Sequence, residues 1–178
     1  ELPSIIRAYD SANFVTDKDT YLPFSPDYHV LTGTLDNITD YVAVNDPTNY
    51  VADGYVLKNK DTVYTDLNGS ADIFFSDGSF THLDKETTLE LKNLEVKQND
   101  KDGTFTKIWL KLNAGKIWSK VVRLASQSKF EVETTGAIAG VRGTECGFEA
   151  DASGVLQGVK CLSGSVEVTK SGSSPIIL

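Results

Sequence analysis

Apolar residues recur at every second position in several segments of this chain, and this alternation constrains the fold more than any other feature. A period of two places every second side chain on the same face of a β-strand. No convincing segment has apolar residues at helical spacing over three turns. The alternating segments are DIFFSDGSFTHL, TTLELKNLEV, TKIWLKLNAGKIW, KFEVETTG and SGSVEVTK. We therefore predict an all-β protein whose strands form an antiparallel β-sandwich or β-roll.

Turn-forming residues separate the alternating segments. Asparagine, aspartate and serine next to glycine are typical of tight turns between antiparallel strands. The turns predicted in this way are Asp77-Gly78, Asp102-Gly103, Asn113-Ala114-Gly115, Ser153-Gly154 and Ser163-Gly164. Short strands at this spacing favour a sandwich of hairpins.

The acidic composition limits the classes of partner. The 178 residues carry a net charge of -8, and phosphate binding needs a basic surface, so we expect no nucleic-acid partner. No apolar run is long enough to cross a bilayer, so we predict no membrane span in this chain. The chain begins at Glu1 and contains no methionine. We interpret this as a processing cut after a secretion signal or as the boundary of a trimmed domain.

The chain divides into three parts by composition. The first thirty residues hold three of the five prolines and show little alternation. We predict an extended N-terminal arm or edge strands over residues 1–50, lying on the same chain or exchanged with a neighbour. A β domain follows over residues 51–170, with a C-terminal tail at 171–178. Within the arm, SIIRAY could add a strand to a sheet, so Ile5 and Ile6 are candidate interface residues.

Two tryptophans flank the predicted turn at Asn113-Ala114. In a hairpin with a tight turn Trp109 lies opposite Trp118, and a four-residue loop sets Trp109 beside Lys120 instead. The second register avoids two facing lysines and favours cation–π pairs. Both registers place the two tryptophans on one face. That face is either a second buried layer or an exposed aromatic patch that contacts a partner.

The two cysteines are placed to face each other. If Ser153-Gly154 is a two-residue turn, Cys146 and Cys161 are equally distant from it and lie opposite each other on adjacent strands. Such positions are close enough for a disulfide, which an oxidising compartment would permit. Two buried thiols and a catalytic thiol are the alternatives, although neither histidine is near Cys146 in the sequence.

From about residue 54 onward the sequence resembles the FecR domain family. The resemblance is found in VYTDLNGSADIFFSDGSFTHLDKETTLEL, LKLNAGKIW, KFEVETTGAIAGVRGTECGFEA and VKCLSGSVEV. Its most specific part is the Val-Arg-Gly-Thr-Glu core at residues 141–145. Two positions depart from the family pattern, because Cys146 replaces the usual phenylalanine and Cys161 replaces an apolar residue. Paired replacements at facing positions are what a cross-strand disulfide requires.

The FecR-like core motif places charged residues within an apolar strand. The motif residues are Arg142, Gly143, Thr144 and Glu145. Arg142 and Glu145 cannot share a face of an unbroken strand, so we expect a bulge near Gly143 or separate partners on neighbouring strands. A buried and paired Arg142 is the first interpretation, and charge recognition by an exposed Arg142 is the alternative.

The resemblance implies a non-enzymatic, FecR-like β domain outside the cytoplasm, with no cofactor. Family members include periplasmic regulators that relay an outer-membrane signal to a sigma factor, and domains of cell-surface proteins. Our first hypothesis is a structural subunit of a cell-surface or extracellular assembly, such as a filament formed by strand donation. The alternatives are a signal-relay or ligand-sensing module and a carbohydrate-binding module that uses Trp109 and Trp118. The expected partner is a protein, either another copy of the chain or another envelope protein.

Other motifs are better explained as local structure. Asp100-x-Asp102-Gly103 is a fragment of a calcium-loop pattern but lacks the distal glutamate, so we interpret it as a turn. His29 and His82 stand alone in the sequence and are not expected to bind a metal. The sequence therefore predicts no catalytic, metal or cofactor site, and a secreted, cell-surface or periplasmic location.

Overall fold

The computed structural model describes residues 31–99, 103–122, 128–142, 145–162, 165–170 and 176–177. Every regular element among them is a β-strand, so the predicted all-β class is confirmed. These residues contain no helical stretch of the length and hydropathy that a bilayer crossing requires. The segment 1–30, with Ile5 and Ile6, lies outside the described residues, and its assignment as an arm stays a prediction.

Fourteen strands are seen in the described part of the chain. In order they are β1 Gly33–Thr39, β2 Val42–Val44, β3 Tyr55–Leu57, β4 Thr62–Thr65, β5 Ser70–Phe75, β6 Phe80–Leu83, β7 Thr88–Asn99, β8 Gly103–Lys120, β9 Lys129–Thr134, β10 Ala137–Arg142, β11 Glu145–Ala150, β12 Leu156–Cys161, β13 Ser165–Lys170 and β14 Ile176–Ile177.

The strands form two sheets that share β8. Sheet A has the order β3-β1-β5-β6-β8-β11-β12, and sheet B has the order β2-β4-β7-β8-β9-β10-β13-β14. The predicted antiparallel arrangement is found throughout, except that β8 and β9 run parallel. Phe75 of sheet A contacts Phe130 of sheet B edge to face, with ring centroids 6.1 Å apart. The two sheets therefore pack face to face around one core.

Strand β8 passes from one sheet to the other instead of folding back on itself. Its first part pairs with β7 and β9 in sheet B, and its last six residues pair with β11 in sheet A. The predicted hairpin at Asn113-Ala114-Gly115 is therefore wrong. Gly115 has a positive φ of 89°, and a Cβ there would lie 2.6 Å from the carbonyl oxygen of Glu86. The glycine is needed for the crossing between the sheets, where the backbone bends past Thr87.

The crossing also changes which side chains face the core. Ile108, Leu110 and Leu112 are fully buried in the first part of β8, whereas Ile117 and Ser119 are buried in the second. The step from Leu112 to Ile117 is an odd number of residues, so the irregular segment between them shifts the alternation. Trp109 and Trp118 consequently lie on the outer faces of different sheets, and the prediction of one shared tryptophan face is wrong.

Part of the predicted N-terminal segment belongs to the β domain. Strand β1 lies between β3 and β5 inside sheet A, and Leu35 on this strand is fully buried. Strand β2 is an edge strand of sheet B, where it pairs with β4. Residues 33–44 therefore contribute to both sheets, and the compact unit runs from Leu31 to Leu178.

Candidate functional site on the outer face of sheet A

The structure contains the predicted disulfide between Cys146 and Cys161. The two residues face each other on β11 and β12, with Cα atoms 4.1 Å apart. Cys146 is fully buried on the inner face of sheet A, next to Ser119 of β8. The disulfide therefore ties the edge strand β12 to the core, and it is typical of proteins in oxidising compartments.

The turn that brings the cysteines together differs from the predicted two-residue turn. The amide of Asp151 donates to the carbonyl of Val155, so three residues lie between the paired positions. A bulge then shifts the register between Glu149 and Ala150. The longer loop and the bulge offset each other, because each changes the register by one residue in the opposite sense. The cysteines face each other for this reason.

The Val-Arg-Gly-Thr-Glu motif links the two sheets. Arg142 is the last residue of β10 in sheet B, and Glu145 is the first residue of β11 in sheet A. The expectation of one strand running through the motif is therefore wrong. Glu145 pairs with Lys120, with 2.8 Å between its carboxylate oxygen and the lysine nitrogen. Gly143, Thr144 and the side chain of Arg142 lie outside the described part of the chain, so the burial of Arg142 stays a prediction.

Trp109 on sheet B is covered by charged side chains. The ammonium nitrogens of Lys92 and Lys107 lie 4.4 Å and 4.8 Å from the centroid of its ring. Each lysine also pairs with a glutamate of β9, Lys92 with Glu133 at 3.0 Å and Lys107 with Glu131 at 3.8 Å. The indole nitrogen is buried and has no hydrogen-bond partner among the described residues. This arrangement favours the packed-layer interpretation of Trp109 over an open binding surface.

The outer face of sheet A carries an exposed apolar row that the sequence analysis missed. Phe74 and Phe80 face each other on β5 and β6 and stack with ring centroids 5.9 Å apart. Phe74 is 44% exposed, and Val56, which lies beyond Thr34 in the same row, is 50% exposed. We call Val56, Thr34, Phe74 and Phe80 the phenylalanine row. The salt bridge between Lys120 and Glu145 continues it towards β12.

A local signal for this row is present in the sequence. Phe74 and Phe75 are adjacent in the segment DIFF, and neighbouring residues of a strand point to opposite faces. Phe75 packs in the core, so Phe74 must point outward. A large apolar residue that alternation forces out of the core is a candidate contact residue.

The turn that aligns Phe80 with Phe74 is fixed by Asp77. Its carboxylate accepts hydrogen bonds from the amide of Ser79 at 2.9 Å and from the hydroxyl of Thr106 at 3.3 Å. Burial raises the pKa of Asp77, and these hydrogen bonds oppose the rise. The bond to Thr106 connects the β5–β6 turn of sheet A to β8.

A groove adjoins the phenylalanine row along the next row of sheet A. His82 pairs across the strands with Trp118, Trp118 with Gly147, and Gly147 with Lys160. A Cβ at Gly147 would lie 2.6 Å from Cε3 of Trp118, so the indole occupies the space above this glycine. The cavity measures about 480 Å³. We call it the Trp118 groove; its outward-facing lining comprises His82, Asp84, Lys116, Trp118, Gly147, Glu149, Gly158 and Lys160.

His82 is held in place by a carboxylate at the end of this row. Its Nδ1 lies 2.7 Å from one oxygen of Asp72, and the other oxygen of Asp72 accepts a hydrogen bond from the side-chain amide Nδ2 of Asn37 at 2.8 Å. Within the described residues, histidine, cysteine, aspartate and glutamate do not gather in groups of three or more that could hold a metal ion. The hydrogen bond to Asp72 orients the imidazole of His82 at the rim of the groove.

Comparison with known proteins identifies the family. The family model described as FecR protein matches residues 61–167. The chain belongs to the FecR family. The match covers β4 to β12 and the first half of β13, and it therefore includes the disulfide, the two phenylalanines of the phenylalanine row on β5 and β6, and the Trp118 groove.

Solved structures of low sequence identity share the fold of this FecR chain. Two crystal structures of a candidate anti-sigma factor from Parabacteroides distasonis, at 2.50 Å and 1.65 Å resolution, each have a TM-score of 0.52 and 20% identity. Each alignment covers 66% of this chain and 50% of the other, so the chain spans about half the length of these neighbours. Among curated protein sequences, none matches the chain.

Proposed function

We propose that this chain is a protein-binding module of the FecR regulator type, which relays a signal through contact with another envelope protein. The FecR family match over residues 61–167 carries the proposal. The shared fold with a candidate anti-sigma factor supports it at the level of architecture. The disulfide between Cys146 and Cys161 supports a periplasmic or other extracytoplasmic location, since the cytosol keeps thiols reduced.

The phenylalanine row is the surface that we assign to this contact. Its aromatic centre is flanked by the charged pair of Lys120 and Glu145. An apolar centre with a polar rim is the usual composition of a protein–protein interface. The aromatic residue on the outer face of sheet B, Trp109, is less available for contact, because paired charges cover it.

The hypothesis of a structural subunit has less support. Strand donation would depend on residues 1–30, which lie outside the described part of the chain. Neither the family nor the structural neighbours point to a filament. The regulator interpretation therefore takes precedence over the assembly interpretation.

The proposal predicts a transcriptional effect in the bacterium that encodes the chain. We expect the replacement of Phe74 and Phe80 by serine in the chromosomal copy to change expression of a limited set of genes that share one promoter class. Both residues are only partly buried, so the protein should still fold and accumulate. The measurement is RNA sequencing, with immunoblots that compare protein levels.

A matched control separates contact from general damage. Ile138 on the outer face of sheet B is 42% exposed, similar to Phe74, and its replacement by serine should leave transcription unchanged. An unchanged transcriptome in the double phenylalanine variant, together with a loss of surface fibres in electron micrographs, would favour the structural-subunit hypothesis instead.

A further inference from the structure

We propose that the Trp118 groove binds a pyranose ring of a glycan. The inference does not depend on the relay function, because it concerns a different row of sheet A and a different class of ligand. It rests on three features of the groove, namely an aromatic platform, an open glycine floor and a rim of mixed charge.

Trp118 supplies the platform. The residue lies on the outer face of β8 and is half-buried. Its six-membered ring lies above Gly147, where a Cβ would come within 2.9 Å of Cζ3. The neighbouring strand therefore supports the indole from one side, while the rest of its surface lines the groove. The C–H groups on one face of a sugar ring can contact such a surface through weak C–H···π interactions.

Gly158 leaves the floor of the groove open. It lies opposite Glu149 on the edge strand β12, and a Cβ built there would meet no atom within 4 Å. A larger residue at Gly158 would therefore extend into the groove, whereas the space above Gly147 is already occupied by the indole of Trp118. The resulting cavity of about 480 Å³ is within the size range of small-molecule sites.

The rim carries both positively and negatively charged side chains, which can donate and accept hydrogen bonds. Lys116 and Glu149 form an exposed pair at 3.2 Å, Asp84 and Lys160 also line the groove, and Asp72 holds Nδ1 of His82. Lysine can donate to hydroxyl groups, a carboxylate can accept from them, and a histidine nitrogen can do either. A ligand rich in hydroxyl groups can therefore use several of these side chains at once.

The same observations argue against other occupants. The lining holds two lysines, Lys116 and Lys160, and two carboxylates, Asp84 and Glu149, so it has no net positive charge to attract a polyanion such as nucleic acid. The backbone groups of β8 and β11 are paired with neighbouring strands on both sides. An extended peptide that binds through its backbone would need a sheet edge, which next to the groove is at β12 among the described strands, and not this face. A glycan, which needs side-chain hydrogen bonds and an aromatic surface, fits the groove best.

The first experiment screens the full 178-residue chain on an array of glucose, galactose, mannose, N-acetylglucosamine and uronic acid oligosaccharides. We expect binding to at least one class, followed by titration of that oligosaccharide in solution. The chain has two tryptophans, so the Trp109→Phe variant keeps Trp118 as its one indole. The fluorescence of that variant should change on binding, and its affinity should stay within about twofold of the wild type.

Two variants test the location of the site. Trp118→Ala removes the platform, and Gly158→Val adds a side chain to the floor at a position where a Cβ meets no atom within 4 Å. Each should lower the affinity by about tenfold or more. Gly158 lacks a positive φ, so valine is compatible with the strand. The Gly158→Val variant therefore tests the location of the site even if Trp118→Ala fails to fold.

Two results would overturn the proposal. One is the absence of binding by the wild-type chain to every oligosaccharide of the array at millimolar concentration. The other is binding that both variants retain. Neither result affects the relay function, which the Phe74 and Phe80 variant tests separately, since these residues lie in a different row.

Discussion

At the scale of single residues, glycines decide where the backbone can approach its neighbours. Gly115 combines a positive φ with close contacts to Glu86 and Thr87. Thr87 accepts a hydrogen bond from the amide of Lys116 and donates one to its carbonyl, both at 3.1 Å. The hydroxyl of Thr87 therefore stabilises the crossing of β8. The crossing is sterically possible because Gly115 has no side chain.

The replacement Gly115→Ala should destabilise the protein more than a positive φ alone would explain. We expect a loss of about 3 kcal/mol in the free energy of unfolding, from backbone strain and the overlap with Glu86 and Thr87. The measurement is urea denaturation followed by circular dichroism. Gly136→Ala is the control, because Gly136 also has a positive φ, of 81°, but no atom within 4 Å of a Cβ. It should lose only about 1 kcal/mol, and equal losses in both variants would show that the contacts at Gly115 do not matter.

The residues that could be predicted from the sequence are those whose surroundings are local. Cys146 and Cys161 lie on two strands of one hairpin, so counting from the turn was enough to bring them together, even though a longer loop and a bulge intervene. Phe74 and Phe80 also lie on one hairpin, but the other neighbour of Phe80, Lys120, lies on β8, which is distant in the sequence. The extent of the phenylalanine row across sheet A could therefore not be predicted from the hairpin alone. Strand pairing of this kind depends on the whole chain.

At the scale of elements, the edge strand β12 depends on its disulfide. Within the described residues it pairs with β11 and with no other strand, and most of its side chains are at least partly exposed. The disulfide closes a loop with a sequence separation of 15, which is worth about 3 kcal/mol in the chain-entropy model. Among the described residues, its further support comes from Leu156 and Val159, which pack against the core.

Reduction of the disulfide should loosen β12 before the rest of the protein. We expect a loss of about 3 kcal/mol in the free energy of unfolding and faster hydrogen exchange at Lys160, which pairs with Gly147 of β11. The amides of Ile108 and Leu110 in the centre of β8 should exchange only with global unfolding. The Cys146→Ala/Cys161→Ala variant is the control, since a reducing agent should not affect it. Unchanged stability and exchange after reduction of the wild type would contradict this account.

In strand β8, the sequence predicts a strand but does not predict where the strand ends. The alternation of Ile108, Leu110 and Leu112 predicts a strand, and the structure has one. The Asn113-Ala114-Gly115 segment fits a hairpin turn as well as a crossing between sheets, because both need a glycine with positive φ. The choice between them depends on β7, β9 and β11, which lie on either side of β8 in the two sheets.

At the scale of the whole molecule, the two sheets share a core but differ in their outer faces. Lysine and glutamate pairs cover Trp109 on sheet B. Sheet A exposes stacked phenylalanines beside a groove. The all-β class and the family could be predicted from alternation and motifs. The division into two different faces could not, because it follows from the order of strands that are distant in the sequence.

The central claim is that the phenylalanine row of this FecR domain contacts another protein. The most direct measurement is site-specific photo-crosslinking in the source organism, with a benzoylphenylalanine at position 80 and, as control, at position 138 on sheet B. We predict a covalent adduct with an envelope protein of different sequence from position 80 and none from position 138. Adducts that contain only two copies of this chain, or equal adducts from both positions, would contradict the claim.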